Sequence, residues 1–322
     1  MSKIVLGGKS STALLFAVVL LAGAGGCGRL APTGPLGEAD EILRITAIFS
    51  EDVRILAPVR PGSVIEATGT ASIKGVFRLR ESDRIPAPVL FVLPAAPAVC
   101  LPGGKPIVGE ALVIDRTTRG IANVVIYLRT KNDSIAWSNV SRPPEVMEVN
   151  RDDPANEPIL DQIDCEFRPH VLALRVGQAI EVINSDPVPH NVNGIGNVLL
   201  AGVSSTTIRP EKQAASPIPI ACNIHPWMAA WILPRDNGFF AVTDANGAFE
   251  IKNLPAGIPL EFDVWHETSA SPSQRLQLDV LRDGVPSLDW SRKRRGRFRI
   301  TLTPDQTIDL GVIDVPISAF RP

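Results

Sequence analysis

Ser185-Asp186-Pro187-Val188-Pro189-His190-Asn191-Val192 and, about thirty residues on, Ile220-Ala221-Cys222-Asn223-Ile224-His225-Pro226-Trp227-Met228 are the stretches from which the rest of this chain is read. They place one thiol, two imidazoles and one thioether in a short span, with two residues separating Cys222 from His225 and two separating His225 from Met228. The chain holds only 4 His, 4 Cys and 3 Met, so this regular grouping signals chemistry rather than packing. An ion that cycles between a soft and a borderline state is suited by one soft thiolate, two imidazole nitrogens and a weak thioether.

That donor set is the one used by type 1 copper, where a trigonal Cys and two His ligands take a weak axial Met. His190, Cys222, His225 and Met228 are therefore the expected ligands of one Cu(I)/Cu(II) ion. Zinc fits less well, because a thioether is a poor zinc ligand and structural zinc sites use Cys and His at all four positions. Multicopper oxidase chemistry would need His-x-His pairs, which the chain lacks, and a binuclear centre would need a second nearby Cys, which is missing. No Ser-His-Asp arrangement or phosphate loop stands out, so the chain is expected not to be an enzyme. His170, before a strand, and His266, within Trp265-His266-Glu267, are expected to be structural.

The pattern upstream is that of strands. Val171-Leu172-Ala173-Leu174-Arg175-Val176 reaches a turn at Gly177-Gln178, and Ala179-Ile180-Glu181-Val182-Ile183-Asn184 then runs on towards His190. A strand, a Gly turn, a strand, an Asn and then His-Asn resembles the plastocyanin and amicyanin group of cupredoxins, and the Cys, His, Met spacing is similar to amicyanin. The resemblance covers roughly residues 165–235. It implies a Greek-key β-sandwich and single-electron transfer. It also implies that Asn191 ties the His190 strand to the Cys222 loop, and that Pro226 and Trp227 form an apolar docking patch around an exposed edge of His225. The chain departs from the pattern at Ile220, where an aromatic is usual, and at Ala229 and Ala230, where a Gly is usual. Pro217 and Pro219 require the strand entering the site to be an edge or irregular. Trp231 reads as a core aromatic.

A second resemblance lies outside this segment. Phe239-Phe240-Ala241-Val242-Thr243-Asp244-Ala245-Asn246-Gly247-Ala248-Phe249-Glu250-Ile251, followed by Leu254-Pro255-Ala256-Gly257, is similar to a hairpin of prealbumin-like or carboxypeptidase-regulatory β-sandwiches. Such modules begin with a strand much like Ile121–Leu128. The fold class expected is thus all-β, a cupredoxin sandwich combined with a second, prealbumin-like one. Residues 63–130 and 238–322 would make the second sandwich and residues 131–237 the copper domain. The alternative is that the early strands complete the cupredoxin barrel itself. Residues 131–164 are polar and proline-bearing, with no defensible period, and read as a long loop.

Lys3 and Lys9 precede an apolar run from Thr12 to Ala24 that is too short to span a bilayer, so residues 1–26 read as a secretory signal. Ala22-Gly23-Ala24 suits ordinary signal peptidase, whereas small residues before Cys27 suit a lipoprotein box with Cys27 lipidated. Residues 27–62, rich in Pro, Gly and charge, read as a tether. An exported, periplasmic or cell-surface location follows, with membrane contact only through the lipid. With Cys27 lipidated and Cys222 on metal, Cys100 and Cys165 remain as the one available pair. They are read either as a disulfide or as two buried thiols. The disulfide would close a loop of roughly 65 residues, worth about 4 kcal/mol on the chain-entropy model.

With 45% hydrophobic and 20% charged residues the composition is that of a folded globular chain, and 29 Pro with 25 Gly favour strands and turns. A net charge of -2 is too small to support nucleic-acid binding. The run Arg292-Lys293-Arg294-Arg295-Gly296-Arg297-Phe298-Arg299 leads into alternating apolar positions and reads as the solvated start of a strand. The expected partners are a redox donor and acceptor. The competing expectation is an extracellular binding or scaffold sandwich, contacting carbohydrate or envelope, with copper structural or absent.

Overall fold

Val124-Val125-Ile126-Tyr127-Leu128 has no polar position, the pattern of a strand covered on both faces. The computed structural model, which describes residues 65–91, 97–129, 140–141, 158–278, 290, 293 and 295–321, shows why. Strand Val125–Leu128 is sandwiched between two apolar layers. Ile126 and Leu128 enter a core built from residues 71–128 and 239–320, while Val125 and Tyr127 meet Val171, Leu233 and Trp265 on the other face. The signal, Cys27 and tether expectations lie outside the described residues.

The chain is all-β. One sandwich stacks a four-stranded sheet, in the order Phe240–Val242, Val125–Leu128, Pro259–Trp265 and Arg297–Thr301, on a three-stranded sheet. The latter has the order Ala248–Pro255, Thr70–Leu79 and Thr307–Val315. Phe77, Phe249, Phe262, Phe298 and Trp290 fill the space between them. Of the basic run, Lys293 and Arg295 are exposed ahead of the strand, whereas Arg297 Nε lies 3.1 Å from Asp263 and an Arg299 nitrogen 3.5 Å from Glu261, both of them buried carboxylates.

The second sandwich has its own core. A four-stranded sheet in the order Ser204–Ile208, Ile180–Asn184, Ile159–Ile163 and Glu166–Arg168 faces a three-stranded sheet in the order Ile218–Ala221, Ala229–Arg235 and Val171–Arg175. Leu160, Phe167, Leu174, Ile180, Val182 and Ile232 pack between them. The Gly177 turn, with φ of 80°, is where the chain leaves one sheet for the other. Its two flanking strands pair with different partners, Val171–Arg175 with Ala229–Arg235 and Ile180–Asn184 with Ser204–Ile208. Pro219 lies on the edge strand Ile218–Ala221, exposed, where its missing N–H costs no ladder bond.

Two expectations change here. Residues 131–164 are not one long loop, because Ile159–Ile163 is a strand paired parallel to residues 181–184. Its period is hidden in the sequence by Gln162, which is buried and hydrogen-bonds the Ile183 carbonyl. Phe91, Val99, Cys100, Leu101 and Ile107 also pack in this second core, although sequence placed them before the boundary at residue 131.

The layer joining the sandwiches is aromatic: Trp231 meets Trp265 edge-on with centroids 4.9 Å apart. Trp265→Ala is expected to cost about 3–5 kcal/mol, measured as the shift of the urea unfolding curve; a loss under about 1 kcal/mol would mean that this layer does not hold the sheets together.

Candidate metal centre

Cys222 to Met228 is the seven-residue connection between strands Ile218–Ala221 and Ala229–Arg235. Its ends are tied by the Cys222 N–H, which donates to the Met228 carbonyl at 3.1 Å. Inside it, the Met228 N–H donates to the His225 carbonyl at 2.9 Å, closing a turn with Pro226 at the second position, where its fixed φ is pre-set. This packs three of the four expected ligand residues into one rigid loop.

His190 comes from the neighbouring hairpin, Val198–Leu200 paired with His190–Val192. Gly194, at φ 118°, lets the hairpin loop press onto the Pro219 carbonyl; a Cβ there would stand 2.4 Å from that oxygen. Asn191 Oδ1 accepts from the Asn223 N–H at 2.7 Å, joining the two ligand-bearing segments.

The Nδ1 atoms of His190 and His225 are 2.9 Å apart, and Cys222 Sγ lies 4.0 and 3.8 Å from them. An ion bonded at about 2.0 Å to nitrogen and 2.3 Å to sulfur needs donors separated by roughly 3.5–4 Å; both sulfur–nitrogen distances meet this, while the two imidazole nitrogens, in hydrogen-bond contact at 2.9 Å, would part by roughly half an ångström to take a trigonal metal. Cys222 is the free cysteine among the described residues. Met228 is 1% exposed and packs in the same core, its backbone fixed by the turn.

The protonation chemistry favours a cation at this point. Burial raises the Cys222 thiol, but His190 and the backbone N–H groups of Asn191, His225 and Ile224 outweigh it and lower the pKa. Burial likewise lowers His190, yet Cys222 and Asp186 raise it overall. His225 is lowered by burial and by the neighbouring His190. A pocket that stabilises one positive charge between a thiolate and two imidazoles can take a proton or a metal ion there, and metal binding releases the proton.

Sequence did not single out Asp186. Its carboxylate is buried, and Oδ2 stands 2.8 Å from His190 Nε2. The same carboxylate accepts the Asp164 N–H at 2.9 Å and the Cys165 N–H at 2.8 Å. Asn184 builds the turn that presents it, accepting the Asp186 N–H and donating to the Val188 and Ala201 carbonyls. A carboxylate on the far nitrogen of a ligand His sets its tautomer and orientation. The signal was available as Asp186 four residues before His190.

Cys100 and Cys165 form a disulfide with Cα atoms 5.0 Å apart. Both are buried against the centre, so two corrections follow. His225 was expected to show an edge to solvent, but it is 5% exposed, because the disulfide and Trp227 cover it. Pro226 is exposed and Trp227 half-buried, its indole N–H donating to the Cys165 carbonyl at 3.2 Å. A second nearby Cys was expected to be missing, but the fold sets both disulfide sulfurs within 4.8 Å of a His225 nitrogen.

His170 and His266 lie elsewhere. His170 is held between Glu267 and Glu110, and Glu267 also accepts the Trp231 indole N–H at 2.9 Å. Burial disfavours the imidazolium, but the two carboxylates outweigh it and lift the pKa to about 9. His266 is wholly buried, which pushes it down to about 3, and its Nδ1 accepts from the Thr268 hydroxyl.

No family model and no curated protein matches the chain. Solved structures do match. Amicyanin from Paracoccus versutus is 17% identical, with a TM-score of 0.23, over 26% of this chain and 86% of its own. A purple cupredoxin from Nitrosopumilus maritimus is 18% identical, TM-score 0.22, over 24% of this chain and 99% of its own. The copper-containing nitrite reductase from Thermus scotoductus is 21% identical, TM-score 0.22, over 24% of this chain. The chain spans only 22% of that reductase's length. Cupredoxins are thus among the structural neighbours of part of this all-β chain. The expectation that it is not an enzyme is corrected by the reductase, which is one.

Two outcomes follow. Asp186→Asn is expected to weaken copper binding by about 10–100-fold in competition with a chelator; unchanged affinity would show that the carboxylate does not orient His190. His170, near 9 in the fold and about 6.5 when unfolded, adds stability that is complete below about pH 6.5 and lost as pH rises through 9. The urea midpoint should fall across that window, and His170→Gln should flatten the decline.

Proposed function

We propose that this protein holds one type 1 copper ion and uses it to pass single electrons between redox partners. The observation that carries the reading is the buried triangle of two imidazole nitrogens and one free thiol. The residues that would hold the ion are His190, Cys222, His225 and Met228, whose weak thioether would raise the potential. Bound copper would supply a one-electron couple. The chain's own contribution is rigidity: the His225-Pro226-Trp227-Met228 turn, the Asn191 bridge and the Asp186 carboxylate hold the donors in place, so little has to move when the charge changes. Burial of all three close donors keeps water away from the metal.

Under the same reading the protein is exported and works in the periplasm or at the cell surface, tethered through a lipid on Cys27. Exposed Pro226 and half-buried Trp227, whose ring centroid is 5.1 Å from that of His225, form the apolar approach for a donor or acceptor. The strands around the copper sandwich form a prealbumin-like module.

Loading the purified chain with Cu(II) is expected to produce an intense blue thiolate-to-copper band. The Cys222→Ala variant should lack the band while keeping the β-sheet circular dichroism of the parent. A loaded parent chain without the band would refute the assignment, and would leave the binding or scaffold alternative.

A further inference from the structure

We propose that the Cys100–Cys165 disulfide closes a second metal position beside the Cys222 centre, and that its reduction opens this position to a soft monovalent ion, Cu(I). The donors are Cys100, Cys165 and His225, all buried, with one ligand atom from each lying within 4.8 Å of the others. A second group, His190, Cys222 and His225, meets the same criterion and shares His225. An imidazole has two nitrogens. His225 turns Nδ1 to His190 and Cys222, so Nε2 is not used by that group. Two thiolates and an imidazole suit Cu(I), which selects soft sulfur ligands.

The rest of the surroundings already hold these groups in place. The Cys165 N–H is fixed by Asp186, its carbonyl accepts from Trp227, and Val99 and Leu101 pack in the core on either side of Cys100. Opening the bond therefore leaves two cysteines anchored through their backbones, whose sulfurs part by side-chain rotation to hold the ion. The disulfide takes up two electrons and two protons from a reductant, a protein dithiol in the cell or a water-soluble phosphine in the test tube. The phosphine gains an oxygen from water and becomes its oxide. Both thiol protons leave as the thiolates bind the ion, and with the Cys222 centre filled the Nε2 proton of His225 leaves as well, so that its ring bridges the two ions as imidazolate.

The proposal depends on the copper reading of the Cys222 centre only for the first equivalent of metal. The full chain is titrated with Cu(I) against a chromophoric Cu(I) chelator, with the disulfide intact and again after phosphine reduction, and its free thiols are counted in each state. The expected result is one equivalent with the disulfide intact and two once it is open. A Cys100→Ser, Cys165→Ser chain should hold one equivalent in both conditions. A reduced chain that has gained two thiols and still binds one equivalent overturns the proposal. If reduction abolishes the near-ultraviolet circular dichroism, the single variant Cys100→Ser decides, because it frees the Cys165 thiolate without reductant. That variant should take a second equivalent more weakly than the reduced parent, and one equivalent there overturns the proposal. A chain that binds nothing with the disulfide intact but gains an equivalent on reduction would refute the Cys222 reading and leave this one standing.

Discussion

The Asp186 carboxylate is the contact on which the centre depends. It sits buried between the far nitrogen of His190 and the backbone N–H groups of Asp164 and Cys165, so two separate segments meet on one charge. A buried carboxylate without such partners would be costly; with three donors it is satisfied. One of those donors belongs to the disulfide-bonded turn, and thus the position of the His190 imidazole is tied to a covalent cross-link to residue 100. The centre is shaped by that cross-link as much as by its own loop.

The second constraint is the double burial of the strands at the middle of the molecule. Ile232 and Ala230 face the core that holds Cys222, and Leu233 and Trp231 face the aromatic layer shared with Val125, Tyr127 and Trp265. The Ala229–Arg235 strand begins directly after Met228, so the metal loop is mounted on a strand packed on both sides. Rigidity of the loop is then a property of the whole stack, and the Glu267 contacts to His170 and Trp231 extend it into the neighbouring sandwich.

Much of this was legible in the residues themselves. Cys222, His225 and Met228 are close because they are near in sequence, and Pro226 sets their turn through a local dihedral preference. The strands Val171–Arg175 and Ile180–Asn184 could be read from runs of Val, Ile and Leu. What escaped was polar and long-range. Asp186 was not singled out, Gln162 hid a strand by occupying a buried position, and Arg297 and Arg299 read as a solvated face although they pair with buried carboxylates.

By itself, the sequence determined the donor set, the short spacing within the loop, the sheet-rich class and the choice of Cys100 and Cys165 as the pair available for a disulfide. These are matters of residue type and neighbouring dihedrals, which survive in any conformation. Tertiary structure alone decided that His225 is covered, that the disulfide lies against the candidate ligands, and that Asp186 holds His190. Each of these is a contact between segments far apart in the chain, made by packing surfaces that no local pattern encodes.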